Sequence, residues 1–125
     1  MITTIPGPGL ADFEHAREVV ARVARRTPME SSRFLADRLG VPVYLKCENL
    51  QRTGSYKLRG ASNRIAALSD AERARGVVAA SAGNHAQGVA YAARELGIRA
   101  TIFMPVGVAL PKLDATRHYL SLIHI

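Results

Sequence analysis

The first regular pattern in the chain is a set of apolar residues at helical spacing. They recur every three or four positions, as Leu10, Phe13, Ala16, Val20 and Val23. This spacing places them on one face of an α-helix. The pattern ends before Thr27-Pro28, because the residue before a proline avoids the helical region. We therefore predict an amphipathic helix from residue 10 to residue 24.

Downstream of this helix, short apolar runs alternate with helical segments. Strands are predicted at 41–47, 76–80 and 98–104, and the last two are expected to be buried because they are almost wholly apolar. Helices are predicted at 31–39, 55–68, 84–96 and 111–119. Ser69 and Glu72 form a capping box that opens one more helix. This alternation indicates an α/β fold, in which helices cover a parallel sheet.

The composition is typical of one domain in a reducing compartment. A chain of 125 residues, of which 48% are hydrophobic, can form one core. It contains no run of roughly eighteen apolar residues, so we expect no membrane span. The N-terminus lacks the pattern of a secretory signal. The single cysteine, Cys47, excludes a disulfide within the chain, and we expect a cytoplasmic protein.

The net charge of +7 raises the question of nucleic-acid binding. The 17 basic residues are spread from Arg17 to Arg117, however, and close pairs such as Arg25-Arg26 and Arg73-Ala74-Arg75 extend into no longer basic block. Nucleic-acid binders usually have a basic block or a basic stripe. We therefore expect no nucleic-acid partner.

Lys57 is one of only three lysines and lies at the start of a predicted helix. Gly54 permits a tight turn before it, and Ser55 can cap the helix that follows. In the first helical turn, the partial positive charge of the helix end disfavours the ammonium form. The neutral amine is the form that makes a Schiff base. An ordinary exposed lysine would fit this position equally well.

A second loop, from Ser81 to His85, follows the predicted strand at 76–80. Its small residues let the backbone approach a ligand, and amides at the start of the next helix can bind a carboxylate or a phosphate. Asn84 can donate to and accept from a ring hydroxyl. The alternative is an ordinary turn that Ser81 or Asn84 caps. Ligands of parallel sheets bind at the carboxyl ends of the strands, where loops lead into helices, and both loops fit that position.

Several other kinds of site are absent from the sequence. Neither the Gly-x-x-x-x-Gly-Lys-Ser/Thr phosphate loop nor the Gly-x-Gly-x-x-Gly dinucleotide motif occurs. One cysteine and four scattered histidines form no zinc pattern, so we expect no metal. His85 has no Ser, Cys or carboxylate beside it, which leaves a catalytic triad without support.

Taken together, the two loops resemble those of threonine and serine dehydratases. The resembling segments are Thr27-Pro28, Leu45 to Gln51, Thr53 to Ala61, Ser81 to Gly88, Phe103 to Pro105, and Pro111-Lys112 onward to about Arg117. These dehydratases are pyridoxal-phosphate enzymes of fold type II, the architecture of the tryptophan synthase β subunit. The resemblance therefore implies that residues 1–119 are the N-terminal part of such a catalytic domain, with pyridoxal phosphate as cofactor.

The resemblance also implies a role for each residue of the loops. Lys57 would hold pyridoxal phosphate as a Schiff base and then remove the α-proton of the substrate. Tyr56, where the family usually has Phe, would contact the cofactor ring, and Asn84 would bond its hydroxyl. The amides that would hold the substrate carboxylate belong to Ser81, Ala82, Gly83, Asn84 and His85. The implied reaction is α,β-elimination of water from L-threonine or L-serine, with release of ammonia and a 2-oxo acid, in isoleucine biosynthesis or threonine catabolism.

Details of the second loop favour a dehydratase over its relatives. Cysteine synthases resemble this fold but have a Thr-Ser-Gly-Asn-Thr type of loop, and serine racemases place a serine where this chain has Ala82. A serine racemase, or another β-elimination or β-replacement enzyme, is the alternative within the fold. A non-catalytic remnant that binds a carboxylate is the alternative outside it. The choice between threonine and serine stays open.

The resemblance covers about the first third of a dehydratase, and the glycine-rich loop for the cofactor phosphate would lie downstream. We therefore expect the isolated fragment to have an exposed sheet edge, to fold poorly and to be inactive. The parent enzyme is expected to be an active homo-oligomer. Residues 120–125 match one reading frame of a transposon end used in sequencing adapters, and we predict that they are a non-native tail.

Overall fold

The computed structural model describes residues 7–119 and 122–124. The helices in these residues are α1 (Leu10–Ala21), α2 (Arg33–Leu39), α3 (Lys57–Ala66), α4 (Asp70–Arg75), α5 (Asn84–Glu95) and α6 (Leu110–His118). The strands are β1 (Met29–Ser31), β2 (Tyr44–Lys46), β3 (Val77–Ala80), β4 (Ala100–Phe103) and β5 (Leu122–His124), and Glu48–Leu50 forms one turn of 3-10 helix. No helix in the described ranges is long and apolar enough to cross a membrane.

A parallel sheet is the centre of the fold. Its strand order is β3-β4-β5, with Val77 opposite Ala100 and Ala80 opposite Phe103. Helix α5 connects β3 to β4, as a parallel pair requires. The predicted α/β fold with a parallel sheet is confirmed.

The backbone of β5 pairs in parallel with β4 over residues 122–124. Leu120, Ser121 and Ile125 lie outside the described residues. A strand at this position does not distinguish a native segment from a foreign one. The non-native tail therefore stays a prediction.

The hydrophobic core lies between α3, α5 and one face of the sheet. Leu58, Ala86, Ala92 and Ile102 have no exposed surface. Burial of one large apolar side chain such as Leu58 contributes about 1.5–3 kcal/mol. The core therefore fixes α3 against α5, the two helices whose N-termini follow the two predicted loops.

The prediction that the strand at 76–80 is buried is wrong for one of its faces. Val77 and Ala79 are half-buried, whereas Val78 is 71% exposed. Side chains of a strand alternate between two faces, and helices cover only one of them here. In β4, Ala100 and Ile102 are buried against the same helices.

A second, antiparallel pair of short strands was not predicted. Met29 lies opposite Lys46, and Ser31 lies opposite Tyr44. The strand predicted at 41–47 is therefore reduced to three residues. This pair joins the segment after α1 to the segment that leads into the first loop.

Of the two helix caps predicted from the sequence, one is observed and one is not. The Ser69–Glu72 capping box opens α4 as predicted, and Ser32, which was not predicted, caps α2. The bonded backbone amide of Ser69 lowers the pKa of Glu72. Ser55, by contrast, does not cap α3, because Tyr56 is the N-cap residue and provides no side-chain bond.

Candidate active site

Lys57 is the first residue of α3. The chain reaches it through Gly54, whose φ of 68° lies in the left-handed region that glycine adopts readily. The Lys57 side chain is half-buried, and its Nζ lies 4.9 Å from the centroid of the Tyr56 ring. Tyr56 is 60% exposed. The predicted position of Lys57 in the first helical turn is confirmed.

The second loop connects β3 to α5 and is held by its own backbone. The amide of Ser81 donates to the carbonyl of Phe103 over 3.0 Å, and the amide of Gly83 donates to Ser81 Oγ over 3.3 Å. Gly83 is the N-cap residue and offers no side chain to the helix. The first amides of a helix have no partner within it. The start of α5 can therefore bind an anion.

A cavity of about 530 Å³ lies between α3, α5 and β3. Its wall is mostly apolar, with Ile65, Leu68 and Val89 among the lining residues. Its polar groups come from Tyr56, Lys57, Arg64 and His85. An amine beside an apolar cavity can act on a small ligand that is held away from water.

The structure brings together some of the predicted site residues and not others. Tyr56, Lys57 and His85 line one cavity, although they come from both loops. The other four residues of the second loop do not line it: the half-buried Ser81, Ala82 and Gly83, and the exposed Asn84.

Gly88 allows α5 to pack directly on the backbone of Lys57. A Cβ atom at Gly88 would lie 3.0 Å from the Lys57 carbonyl carbon and 3.1 Å from both the Lys57 oxygen and the Leu58 nitrogen. These distances are shorter than ordinary van der Waals contact. The absence of a side chain at Gly88 therefore sets how close α5 comes to the residue that bears the amine.

Glu48 and Arg59 form an ion pair beneath the first loop. Arg59 Nη2 lies 2.7 Å from Glu48 Oε1, and Arg59 Nε lies 2.8 Å from Glu48 Oε2. The hydroxyl of Thr27 donates to Glu48 as well. We call these three residues the Glu48 clamp. It joins the segment before Lys57 to the second residue after it.

Gln51 strengthens the same connection. Its side-chain oxygen accepts from the Arg25 amide over 2.8 Å, and its side-chain nitrogen donates to the Arg25 carbonyl over 2.9 Å. Thr27, Glu48 and Gln51 lie in segments that resemble the dehydratases, but the sequence alone indicated no role for them. Their presence in those segments, without a catalytic role to explain it, was the only sign that they hold the lysine loop in place.

The Glu48 clamp makes stability depend on pH. The bonds from Arg59 are the largest cause that lowers the pKa of Glu48, from 4.5 to about 2. Because the folded-state pKa lies below the unfolded one, the contribution is complete above about pH 4.5 and is lost as the pH falls toward 2. We expect Glu48→Gln to cost about 1–2 kcal/mol at pH 7, since Arg59 is 36% exposed.

The measurement is the urea midpoint of the full-length protein and of Glu48→Gln between pH 7 and pH 3.5. The difference between them should shrink below about pH 4.5. Glu95→Gln is the matched control, because Glu95 is itself exposed and, among the described residues, pairs only with its neighbour Arg94, so its replacement should cost little. Equal midpoints for the two variants at pH 7 would contradict a stabilising clamp.

The sequence that forms this site matches a family of known enzymes. A family model described as "Pyridoxal-phosphate dependent enzyme" matches residues 20–124, which include both loops and both helices of the site. The chain belongs to the pyridoxal-phosphate-dependent enzyme family. The predicted family and its cofactor are thereby confirmed.

Similar proteins and solved structures are named for reactions of threonine and serine. The chain is 54% identical to L-threonine ammonia-lyase of Thermotoga maritima over 109 residues, which is 87% of this chain and 27% of the relative. It matches threonine deaminase isoform 2 of Solanum lycopersicum at 42% identity, with a TM-score of 0.80, over 94% of this chain and 36% of that one. It also matches maize serine racemase at 37% identity, with a TM-score of 0.83, over 92% of this chain and 35% of that one. The chain thus spans about a third, or less, of the length of these relatives.

The described residues fit one end of pyridoxal phosphate. Lys57 presents an amine at an apolar cavity, Tyr56 presents an aromatic ring beside it, and the start of α5 presents free amides. Two hydroxyls in the loop before Lys57, those of Thr53 and Ser55, are buried without a hydrogen-bond partner among the described residues. Buried hydroxyls usually have a partner, so this loop has spare donors for a bound oxygen.

Proposed function

We propose that the protein containing this chain is an ammonia-lyase that eliminates water from L-threonine or L-serine. The products would be ammonia and a 2-oxo acid. The observation that supports this best is the convergence of Lys57, the first residue of α3, and His85, the second residue of α5, at one cavity. The names of relatives at about 50% identity support the same reaction.

Lys57 would perform the proton transfers of this reaction. Its amine would hold the cofactor covalently and would then accept the α-proton of the substrate. The cofactor supplies the electron sink that makes this proton removable. The apolar wall of the cavity would exclude water from the amine while the proton moves.

The second loop would orient the substrate. The backbone amides of residues 81–85 would hold the substrate carboxylate at the start of α5, where the helix end favours an anion. Tyr56 would contact the cofactor ring. Asn84, which is exposed, would bond the ring hydroxyl.

Serine racemisation is the second candidate. The match to maize serine racemase favours it, since the fold agrees over 92% of this chain. The residue at 82 opposes it, because alanine cannot exchange a proton with a substrate. The two reactions give different products, which one assay can separate.

The test uses the full-length parent protein with pyridoxal phosphate and, separately, L-threonine and L-serine. We expect 2-oxo acid and ammonia in equal amounts, with no D-serine on chiral chromatography. D-serine as the main product would replace our proposal with the racemase, and no product from either substrate would leave a non-catalytic carboxylate binder. The isolated 125-residue chain should give no product.

The proposed reaction also suggests where the parent protein acts and what it binds. We propose that it is a cytoplasmic homo-oligomer that acts on a small amino acid. No membrane or nucleic acid is required for this reaction.

A further inference from the structure

A second cavity lies away from the candidate active site. Its volume is about 560 Å³, and five of its lining residues are basic: Arg17, Arg25, Arg26, Lys46 and Arg59. We call this cavity the basic groove. No acidic residue is among its lining residues in the described part of the chain.

Hydrogen bonds to one short segment of backbone hold two of these cations in place. Lys46 Nζ donates to the Thr27 carbonyl over 2.6 Å, and Arg59 Nη2 donates to the Arg25 carbonyl over 3.3 Å. The groove is therefore assembled from α1, β2 and α3, three elements far apart in sequence. This explains why the spacing of basic residues along the chain did not reveal it.

The groove has an excess of positive charge that its own lining residues do not balance. The carboxylate bonded to Arg59, that of Glu48, is also bound by Thr27. The exposed side chains of Arg17, Arg25 and Arg26 have no ion pair with the described residues. Like charges that share a groove repel one another, and a bound anion relieves this repulsion.

The shape of the groove limits the size and chemistry of such an anion. Its floor is apolar, formed by Val20, Ala21 and Ala24. Several arginines suit phosphate, because the planar guanidinium binds its oxygens in pairs. Among the residues that the structure describes, no aromatic side chain lines the groove to stack a base, which disfavours a single-stranded nucleic acid.

We propose that the basic groove binds a small molecule with several phosphate charges. This site is separate from the one that would hold the cofactor, and it does not depend on the proposed reaction.

The test is calorimetric titration of the full-length protein, loaded with its cofactor, with inorganic tripolyphosphate at low salt. We expect saturable binding that weakens at least tenfold in the double variant Arg17→Ala/Arg26→Ala. The matched control is Arg33→Ala/Arg38→Ala, which removes the same charge from α2 and should bind as wild type does. Arg17→Lys/Arg26→Lys, which keeps the charge but loses the planar guanidinium groups, should bind more tightly than the alanine double variant and less tightly than wild type.

Three results would overturn the proposal. The first is the absence of saturable binding, and the second is an equal loss in the α2 control. The third is displacement of tripolyphosphate by a mixed single-stranded oligonucleotide that binds more tightly per phosphate. Excess pyridoxal phosphate should leave the titration unchanged, which separates this site from the candidate active site.

Discussion

Replacement of Lys57 by alanine is expected to lower 2-oxo acid formation by the full-length enzyme at least about a thousandfold. The variant loses both the group that would hold the cofactor and the base for the α-proton, and a positioned base alone is worth about 10²–10⁴-fold. The absorbance band of the bound cofactor should disappear as well. Both changes can be measured on one sample, by a spectrum and by a coupled 2-oxo acid assay.

Two further variants test whether the reaction needs the primary amine of Lys57 or only a positive charge at this position. Lys57→Arg keeps a positive charge but cannot form the covalent bond, so we expect it to be as inactive as Lys57→Ala. Lys112→Ala removes an exposed lysine on α6 and should behave as wild type. A cofactor band that survives in Lys57→Ala would show that another lysine is the attachment site.

Replacement of Gly88 by alanine is expected to impair the same reaction without touching a ligand. The added methyl group would press on the Lys57 backbone from 3.0 Å, so α3 must shift by a few tenths of an ångström. Such overpacking costs about 1–3 kcal/mol, and a small misplacement of a catalytic group can cost up to about a hundredfold in rate. We expect kcat to fall about ten- to a hundredfold, with a smaller change in KM.

Gly60→Ala is the matched control for the stability part of this prediction. Gly60 is also within a helix, but a Cβ there would have no neighbour within 4 Å. Its replacement should raise stability by about 0.5–1 kcal/mol through helix propensity alone. Since Gly60 lines the cavity, this control is read on the denaturation midpoint and not on activity. A Gly88→Ala enzyme that is as active and as stable as wild type would refute the role of the contact.

The parts of the fold that the sequence predicted depend on local interactions. The Ser69–Glu72 capping box was recognised because both partners lie within one helical turn. The end of the helix predicted at 31–39 is equally local, because Gly40 follows it at a φ of 68°. The alternation of strands and helices predicted the parallel sheet without any knowledge of its register.

The parts that were missed depend on partners distant in sequence. Strand β1 has three exposed residues and no apolar pattern, so only its pairing with β2 makes it a strand. Glu48 meets Arg59 across eleven positions and Thr27 across twenty-one. Ser55 looked like a cap, but its side chain is buried and its hydroxyl is unbonded among the described residues.

The structure brings together some of the residues that the sequence suggested for the site, but not all of them. Lys57, Tyr56 and His85 do meet at one cavity, as the two loops suggested. The residues from Ser81 to Asn84 were expected at the same place, yet their side chains do not line this cavity. They are proposed to bind the substrate carboxylate through their backbone amides. A sequence pattern does not reveal in which direction backbone amides point.

The position of Cys47 makes the Glu48 clamp observable in solution. Cys47 is the only cysteine of the chain and precedes Glu48 directly, where its amide donates to the Pro28 carbonyl over 3.1 Å. Cys47 as a residue is half-buried, and its thiol lies in an exposed contact 3.6 Å from the Leu45 carbonyl. Loss of the clamp should uncover the rest of this residue, so a higher rate of thiol labelling at Cys47 in Glu48→Gln would report loosening of the segment beside the lysine loop, separately from the global unfolding of the enzyme.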